Sequence, residues 1–278
     1  MILGLSTSLE HTNPQQWAQK HKSLGLGAVV FPVSCDESDS KVREYKKAAD
    51  EAGLVIAEVG VWRNVLSPDS SQRKKNLDYA VRQLAMADEI GAKCAVNIAG
   101  TAYGPVWDGG YAGNFSKEAW DDTVKSIRFI IDEVKPGNTK YAIETMPWMV
   151  PTGPDEYLRL MEDVSRDEFG IHLDIVNMIN CPQRYFFNTE FIDEVFEKLG
   201  KGCLSCHIKN VHLRPEYTFQ LLECACRDGE LNLEEYAKKA SQVDPKMPMI
   251  IEHLHSDEEY LASLKYLQKR LKKYAIGN

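Results

Sequence analysis

The stretch CLSCHIKNVHL, residues 203–213, admits three readings. Its first five residues have the C-x-x-C-H spacing of c-type haem attachment, and Cys203 and Cys206 have the spacing of a redox dithiol. Read as a β-strand, CLSCHI is a short apolar run that carries His207 at its C-terminal end. The flanking segments favour the strand. Upstream lie the apolar run FGIHLDIVN and the amphipathic helix TEFIDEVFEKLG; downstream lie the helix NLEEYAKKAS, the apolar run MPMIIEHL and the helix SDEEYLASLKYLQKRLKKY. Haem attachment needs an exposed loop and an oxidising compartment, and a redox dithiol normally opens a helix, whose dipole lowers the thiol pKa. A strand offers neither, and its alternation places Cys203 and Cys206 on opposite faces.

The same alternation, traced outward, accounts for the whole chain. Apolar runs ILGLSTS, GAVVFPV, LVIAEVGVW, KCAVNIAG and TKYAIET precede the three above, and each is followed by an amphipathic helix. Asn13 before Pro14 marks one helix start, and Gly53 and Gly91 mark two helix stops. Eight strand-then-helix units also suit a doubly wound sheet, but no Gly-x-Gly-x-x-Gly turn follows an early strand. The fold expected is α/β, a (β/α)8 TIM barrel, as a single domain over residues 1–278, with its active site at the C-terminal ends of the strands.

Composition narrows the partners. Thirty-three basic against 41 acidic residues give a formal charge of −8, which disfavours a phosphate backbone, so no nucleic acid is expected. No run approaches the ~20 apolar residues that span a bilayer. The N-terminus lacks the basic segment of a signal peptide, so the expected location is cytoplasmic and the seven cysteines are read as thiols.

Four of the last strands end in metal-competent residues: Glu144 in YAIET, Asp174 in IHLDI, His207 in CHIKN and Glu252 in MIIEHL. Together they make a site of mostly oxygen donors with one nitrogen, suited to one divalent ion, Mn²⁺ first and Mg²⁺ or Co²⁺ next. Three carboxylates buried together without a cation would be strongly unfavourable.

Glu, Asp, His within an HIK segment, then Glu on strands five to eight resembles the xylose-isomerase-like TIM-barrel superfamily, which includes ketose 3-epimerases, inosose dehydratases and endonuclease IV. DGELNLEEY after strand seven is similar to a segment of its sugar phosphate isomerase/epimerase-like members. The resemblance spans the chain. It implies a divalent ion on Glu144, Asp174, His207 and Glu252, with Glu144 and Glu252 also catalytic as the acid/base pair. Two departures stand out: Asn177 where many relatives have histidine, and Lys209 and Arg214 where the epimerases carry Glu and Arg. Endonuclease IV uses further histidines on early strands, whereas this chain offers Glu58 and Asn97 there.

The expected activity is that of a metal-dependent sugar isomerase or epimerase, in which a C–H beside a carbonyl is deprotonated and the resulting enediolate stabilised. Alternatives are a lyase of the same superfamily, an inosose-type dehydratase or a 3-keto-glycoside-cleaving enzyme, and a barrel that only binds sugars. Candidate substrate contacts are Glu58, Asn97, Trp107, Trp148, Lys209 and Arg214. Trp62 joins the tryptophans as an aromatic wall. Loop 101–114 is longer than a connection needs and reads as a lid or an oligomer contact; a homo-oligomer is possible. His172 reads as a hydrogen-bonded histidine beneath the ligands, and His253 as packed beneath a helix.

Overall fold

Each of the eight apolar runs forms a strand in the computed structural model, which describes residues 1–275. In chain order these are β1 (Ile2–Leu5), β2 (Ala28–Val30), β3 (Val55–Gly60), β4 (Cys94–Asn97), β5 (Lys140–Ile143), β6 (Phe169–Asp174), β7 (Cys203–Ile208) and, after a hairpin, β10 (Pro248–Ile251). All pair in parallel, in the order β1-β10-β7-β6-β5-β4-β3-β2. The sheet curls into a nearly closed barrel, and at the seam the Gly27 amide donates to Leu3 O at 3.1 Å. Gly4 permits that approach, because a Cβ there would lie 2.8 Å from Ala28 O. This is a TIM barrel, as the alternation predicts.

The helices between strands include α1 (Pro14–Ser23), α2 (Asp39–Ala52), α3 (Ser70–Ile90), α4 (Lys117–Val134) and α5 (Pro154–Val164). Their starts are set by the sequence: the side chains of Asn13, Ser38, Asp69 and Ser116 each accept from an amide of the first turn. The main core lies between the barrel and this helical layer, with Trp17, Tyr141 and Tyr157 fully buried. No helix among the described residues is long and apolar enough to cross a membrane.

Two bulges aim the site. Between β2 and β3 the register slips at Ala57, and between β6 and β7 it slips at Leu204. A bulge lets consecutive residues point to the same side. Leu204 therefore packs inside the barrel with Cys94, Val96 and Ala142, while Ser205 also points inward and reaches Glu58. The bulge also corrects the expectation for the cysteines. Cys203 and Cys206 share a face, with their sulfurs 3.6 Å apart and buried.

The segment after β7 forms an antiparallel hairpin of β8 (Asn210–Leu213) and β9 (Leu221–Cys224). The loop after β6 holds two short helices, α6 (Ile175–Met178) and α7 (Pro182–Phe186), before α8 (Asn188–Leu199). The remaining helices, α9 (Leu233–Val243) and α10 (Asp257–Arg270), flank β10. Tyr236 of α9 donates to His207 O at 2.9 Å, and Tyr157 of α5 donates to Ile143 O at 2.5 Å, so helix side chains clamp the strands that carry the site.

Candidate metal centre and active site

Alternation along four strands brings four donors to one point. Ala142, His172, Ser205 and Ile250 face the barrel interior, and two residues on from each stand Glu144, Asp174, His207 and Glu252. Each of the four offers a donor atom within 4.8 Å of the others, and all four residues are buried. His207 Nδ1 lies 2.8 Å from Glu252 Oε2 and 3.3 Å from Glu144 Oε1.

His207 is oriented from behind. Its Nε2 lies 3.1 Å from Glu58 Oε2, and Glu58 Oε1 takes His172 Nε2 at 3.1 Å and the Ser205 hydroxyl. Burial disfavours ionised Glu58, but His207 and His172 outweigh it and hold the carboxyl well below its usual range. Burial likewise opposes a charged His207, and here Glu252, Glu144 and Glu58 prevail and hold it well above an ordinary histidine. Glu144 is anchored by Asn177 Nδ2 at 2.8 Å, and the Asn177 amide donates to Asp174 Oδ1 at 3.0 Å. The asparagine that departs from the family pattern thus ties two donors together.

Lys209 supplies the one buried lysine of the cluster. Its Nζ stands 2.8 Å from Asp174 Oδ2, Glu252 Oε1 and Glu223 Oε1 alike. Glu223 comes from β9 and also meets His253 Nδ1 at 2.9 Å. Burial pushes the Asp174 carboxyl well up despite Lys209, because Glu252 and Glu144 add repulsion.

The donor set fits a hard divalent cation. Asp174 Oδ2, His207 Nδ1 and Glu252 Oε1 are buried and lack a properly directed hydrogen bond among the described residues, although charged neighbours lie at 2.8 Å. Atoms that converge in distance but not in hydrogen-bond direction are what an ion-binding cluster presents. Four buried carboxylates, counting Glu58, also outnumber the single lysine.

Above the cluster opens a cavity of about 310 Å³. Glu58, Glu144, His207 and Glu252 line it, and Trp62, Trp107, Ile98 and Met146 give it an apolar wall. Several expected substrate contacts lie elsewhere. Asn97 is fully buried, and its carboxamide pins the loop after β3, accepting from Arg63 N and donating to Arg63 O. Trp148 is 43% exposed and donates to Asp108 O at 2.6 Å, so it buttresses loop 101–114. Arg214 pairs with Glu216 on the hairpin. Lys209 sits behind the carboxylates instead of on the cavity wall. Glu58 lies on the cavity floor with both oxygens engaged.

His253 corrects another expectation: its ring is half exposed and lines the cavity, because a left-handed backbone at φ 55° turns it away from the helix layer. Ser205 could have been found two residues before His207. Nothing local in the sequence marks Glu223.

The profile of the xylose isomerase-like TIM barrel family matches residues 18–270. The chain belongs to this family. One curated relative is a probable endonuclease 4 of Persephonella marina, 23% identical over 196 residues; the match spans 64% of this chain and 65%, less than two thirds, of that protein. Solved structures with the same fold include a xylose isomerase-like TIM barrel protein of Mycobacterium smegmatis in complex with magnesium, 18% identical with a TM-score of 0.69, covering 99% of this chain and 97% of that one. A probable 3-DHS dehydratase of Bacillus anthracis, 16% identical, scores 0.73 over 97% of this chain and 100% of its own. D-psicose 3-epimerase of Clostridium cellulolyticum with D-tagatose, 15% identical, scores 0.67 over 98% and 99%. The relatives with this fold or sequence pattern thus include proteins described as an epimerase, a probable dehydratase and a probable endonuclease.

Proposed function

We propose that the chain is a single-domain sugar isomerase or epimerase, dependent on a divalent metal, that removes and returns a proton beside a carbonyl. The observation that carries this reading is the pairing of Glu144 and Glu252. Both line one cavity, come from different sides of the barrel, and lie within 3.3 Å of the same His207 nitrogen.

Glu144, Asp174, His207 and Glu252 would hold the ion, for which Mn²⁺ is the first candidate and Mg²⁺ the next. When bound, such an ion supplies the positive charge that polarises a carbonyl and offsets the charge developing on it. The rest falls to the protein. Asn177 anchors one oxygen of Glu144 and Lys209 one oxygen of Glu252, which fixes two carboxylates on either side of the reacting carbon. The neighbouring His207 and Lys209 charges overcome burial and hold Glu252 well below the ordinary carboxylate range, which keeps it ionised and able to take a proton, while lowering its basicity. Trp62 and Trp107 offer apolar faces to the C–H surface of a sugar and exclude water.

The acidic chain and carboxylate-lined cavity suit a neutral sugar better than a phosphodiester backbone, despite the endonuclease relative. A lyase would use the same first proton abstraction, and the likeness to a dehydratase supports keeping that outcome in the assay.

The test combines metal analysis of the purified protein with solvent deuterium uptake into candidate ketoses, monitored by mass. The expected result is about one divalent ion per chain and exchange at the carbon beside the carbonyl, lost in Glu252→Gln. Unchanged metal content and turnover in that variant would overturn the reading. Loss of water from the product would make it a lyase.

A further inference from the structure

A second cavity, of about 420 Å³, adjoins the first, and Trp62 and Trp107 line both. Its remaining lining contrasts with the carboxylate floor next door. Arg63, Asn64, Ser67, Gln72 and Asn76 supply amides, a hydroxyl and one guanidinium, and no acid.

The shared wall is held in an unusual conformation. Trp62 adopts φ 45°, in the left-handed region that bulky residues seldom enter. Its indole folds back over Gly60, where a Cβ would lie 2.1 Å from Trp62 Nε1. A strained backbone and a bare glycine together place a 37% exposed indole at the junction of two cavities. Strain of this kind persists where surrounding structure enforces it, and it concentrates at ligand-binding positions.

The second cavity is also preformed. Asn64 Nδ2 donates to Thr101 O at 2.8 Å, Asn76 Nδ2 donates to Asn64 O at 2.7 Å, and Gln72 Nε2 donates to Asn76 Oδ1 at 2.8 Å. These bonds lock the loop after β3 to α3 and to the loop after β4. They leave the Gln72 carbonyl and the hydroxyl of buried Ser67 without a hydrogen bond among the described residues. The one cation, Arg63, stacks 4.3 Å over the Tyr79 ring and donates to Trp62 O, so no phosphate clamp forms.

Indole faces, uncharged donors and acceptors, and continuity with the reaction cavity fit a second, neutral polyol ring. We infer that the substrate is a glycoside, with the sugar unit that loses its proton above Glu144 and Glu252 and the adjoining unit held between Trp62, Trp107, Ser67 and Gln72. This rests on the proposed sugar chemistry and specifies its substrate class.

The experiment compares deuterium uptake by D-fructose with that by the ketose disaccharides lactulose, maltulose and isomaltulose, using Mn²⁺-loaded protein and its Ser67→Ala and Gln72→Ala variants. The expected result is at least a tenfold higher kcat/KM for one disaccharide than for fructose. Each variant should reduce that preference roughly fivefold, the worth of a neutral hydrogen bond, chiefly through KM. Exchange that favours fructose across the panel, or a preference that both variants leave intact, overturns the second subsite while the sugar chemistry stands. Absence of exchange with every sugar refutes the sugar chemistry and the subsite's substrate with it.

Discussion

Glu58 and His207 meet at 3.1 Å, Oε2 to Nε2, across 149 residues of chain. The contact fixes the histidine tautomer and ring plane and leaves Nδ1 to the cluster of Glu144, Asp174 and Glu252. A partner of this kind normally contributes 10- to 100-fold to metal affinity. Glu58→Gln keeps the shape but removes the charge that supports His207, and its amide can place a donor against Nε2. The variant should fold, keep the cavity and bind Mn²⁺ roughly tenfold more weakly or worse, as a competitive metal titration would show. Unaltered affinity would reduce Glu58 to a packing residue.

Protons should leave as the metal enters. In the metal-free protein burial opposes the His207 charge, yet Glu252, Glu144 and Glu58 raise its pKa well above the usual value, and burial raises Asp174 likewise. Groups raised on folding bind more protons in the native state than in the unfolded one. Their contribution is therefore present at pH below the unfolded values and is lost as pH rises through the folded ones. The metal-free protein should lose the Asp174 contribution as pH rises above about 4, the unfolded aspartate value, and the His207 contribution above about pH 6.5, the unfolded histidine value. A bound ion needs these donors deprotonated, so the rise in Tm on adding Mn²⁺ should grow from pH 6 to pH 9. Calorimetry in buffers of different ionisation enthalpy should find at least one proton released per ion; a heat independent of buffer would contradict this.

The four strand-end donors were legible because a strand's alternation is rigid. Once the alternation of strands and helices indicates a barrel, a carboxylate or histidine at the C-terminal end of a strand can be placed without coordinates. The bulges at Ala57 and Leu204 were not legible, since one extra residue costs no visible change in apolar pattern yet reverses the facing of every later residue in the strand. That is why Cys203 and Cys206 face the same way and not opposite ways. Loop contacts were not legible for a different reason. The side chains of Asn97, at the end of β4, and Trp148, in the loop after β5, each bond a backbone carbonyl of a neighbouring loop, and such a pairing has no local signature. Glu223 reaches the cluster only because β8 and β9 pair across it, a tertiary fact with no local signature.

Lys209→Met tests whether the lysine holds the carboxylates in place. Its ammonium is fully buried against Asp174, Glu252 and Glu223. Methionine reproduces the lysine stem as far as Cε but leaves those charges uncompensated, and breaking a buried pair from one side costs on the order of 3–5 kcal/mol. Urea denaturation of the metal-free variant should show a loss of that size, partly recovered with saturating Mn²⁺, because a divalent ion can neutralise the same carboxylates. A loss that Mn²⁺ does not touch would show that the lysine and the metal donors are energetically separate.

Gly4→Ala tests the seam of the barrel. The new methyl would stand 2.4 Å from Ile250 Cδ1 and 2.8 Å from Ala28 O. The isoleucine end can rotate away, but the carbonyl belongs to the backbone of β2 and can retreat only by separating β1 from β2. Overpacking of this kind costs about 1–3 kcal/mol. The expected outcome is a lower Tm together with faster hydrogen exchange at the Gly27 amide, which donates to Leu3 O across the seam. Glu144, Asp174 and His207 lie across the barrel from this seam, and only Glu252, which follows β10 beside β1, lies near it, so Mn²⁺ affinity should fall less than in Glu58→Gln. Equal losses of metal affinity in the two variants would mean that barrel closure and the metal centre form one cooperative unit.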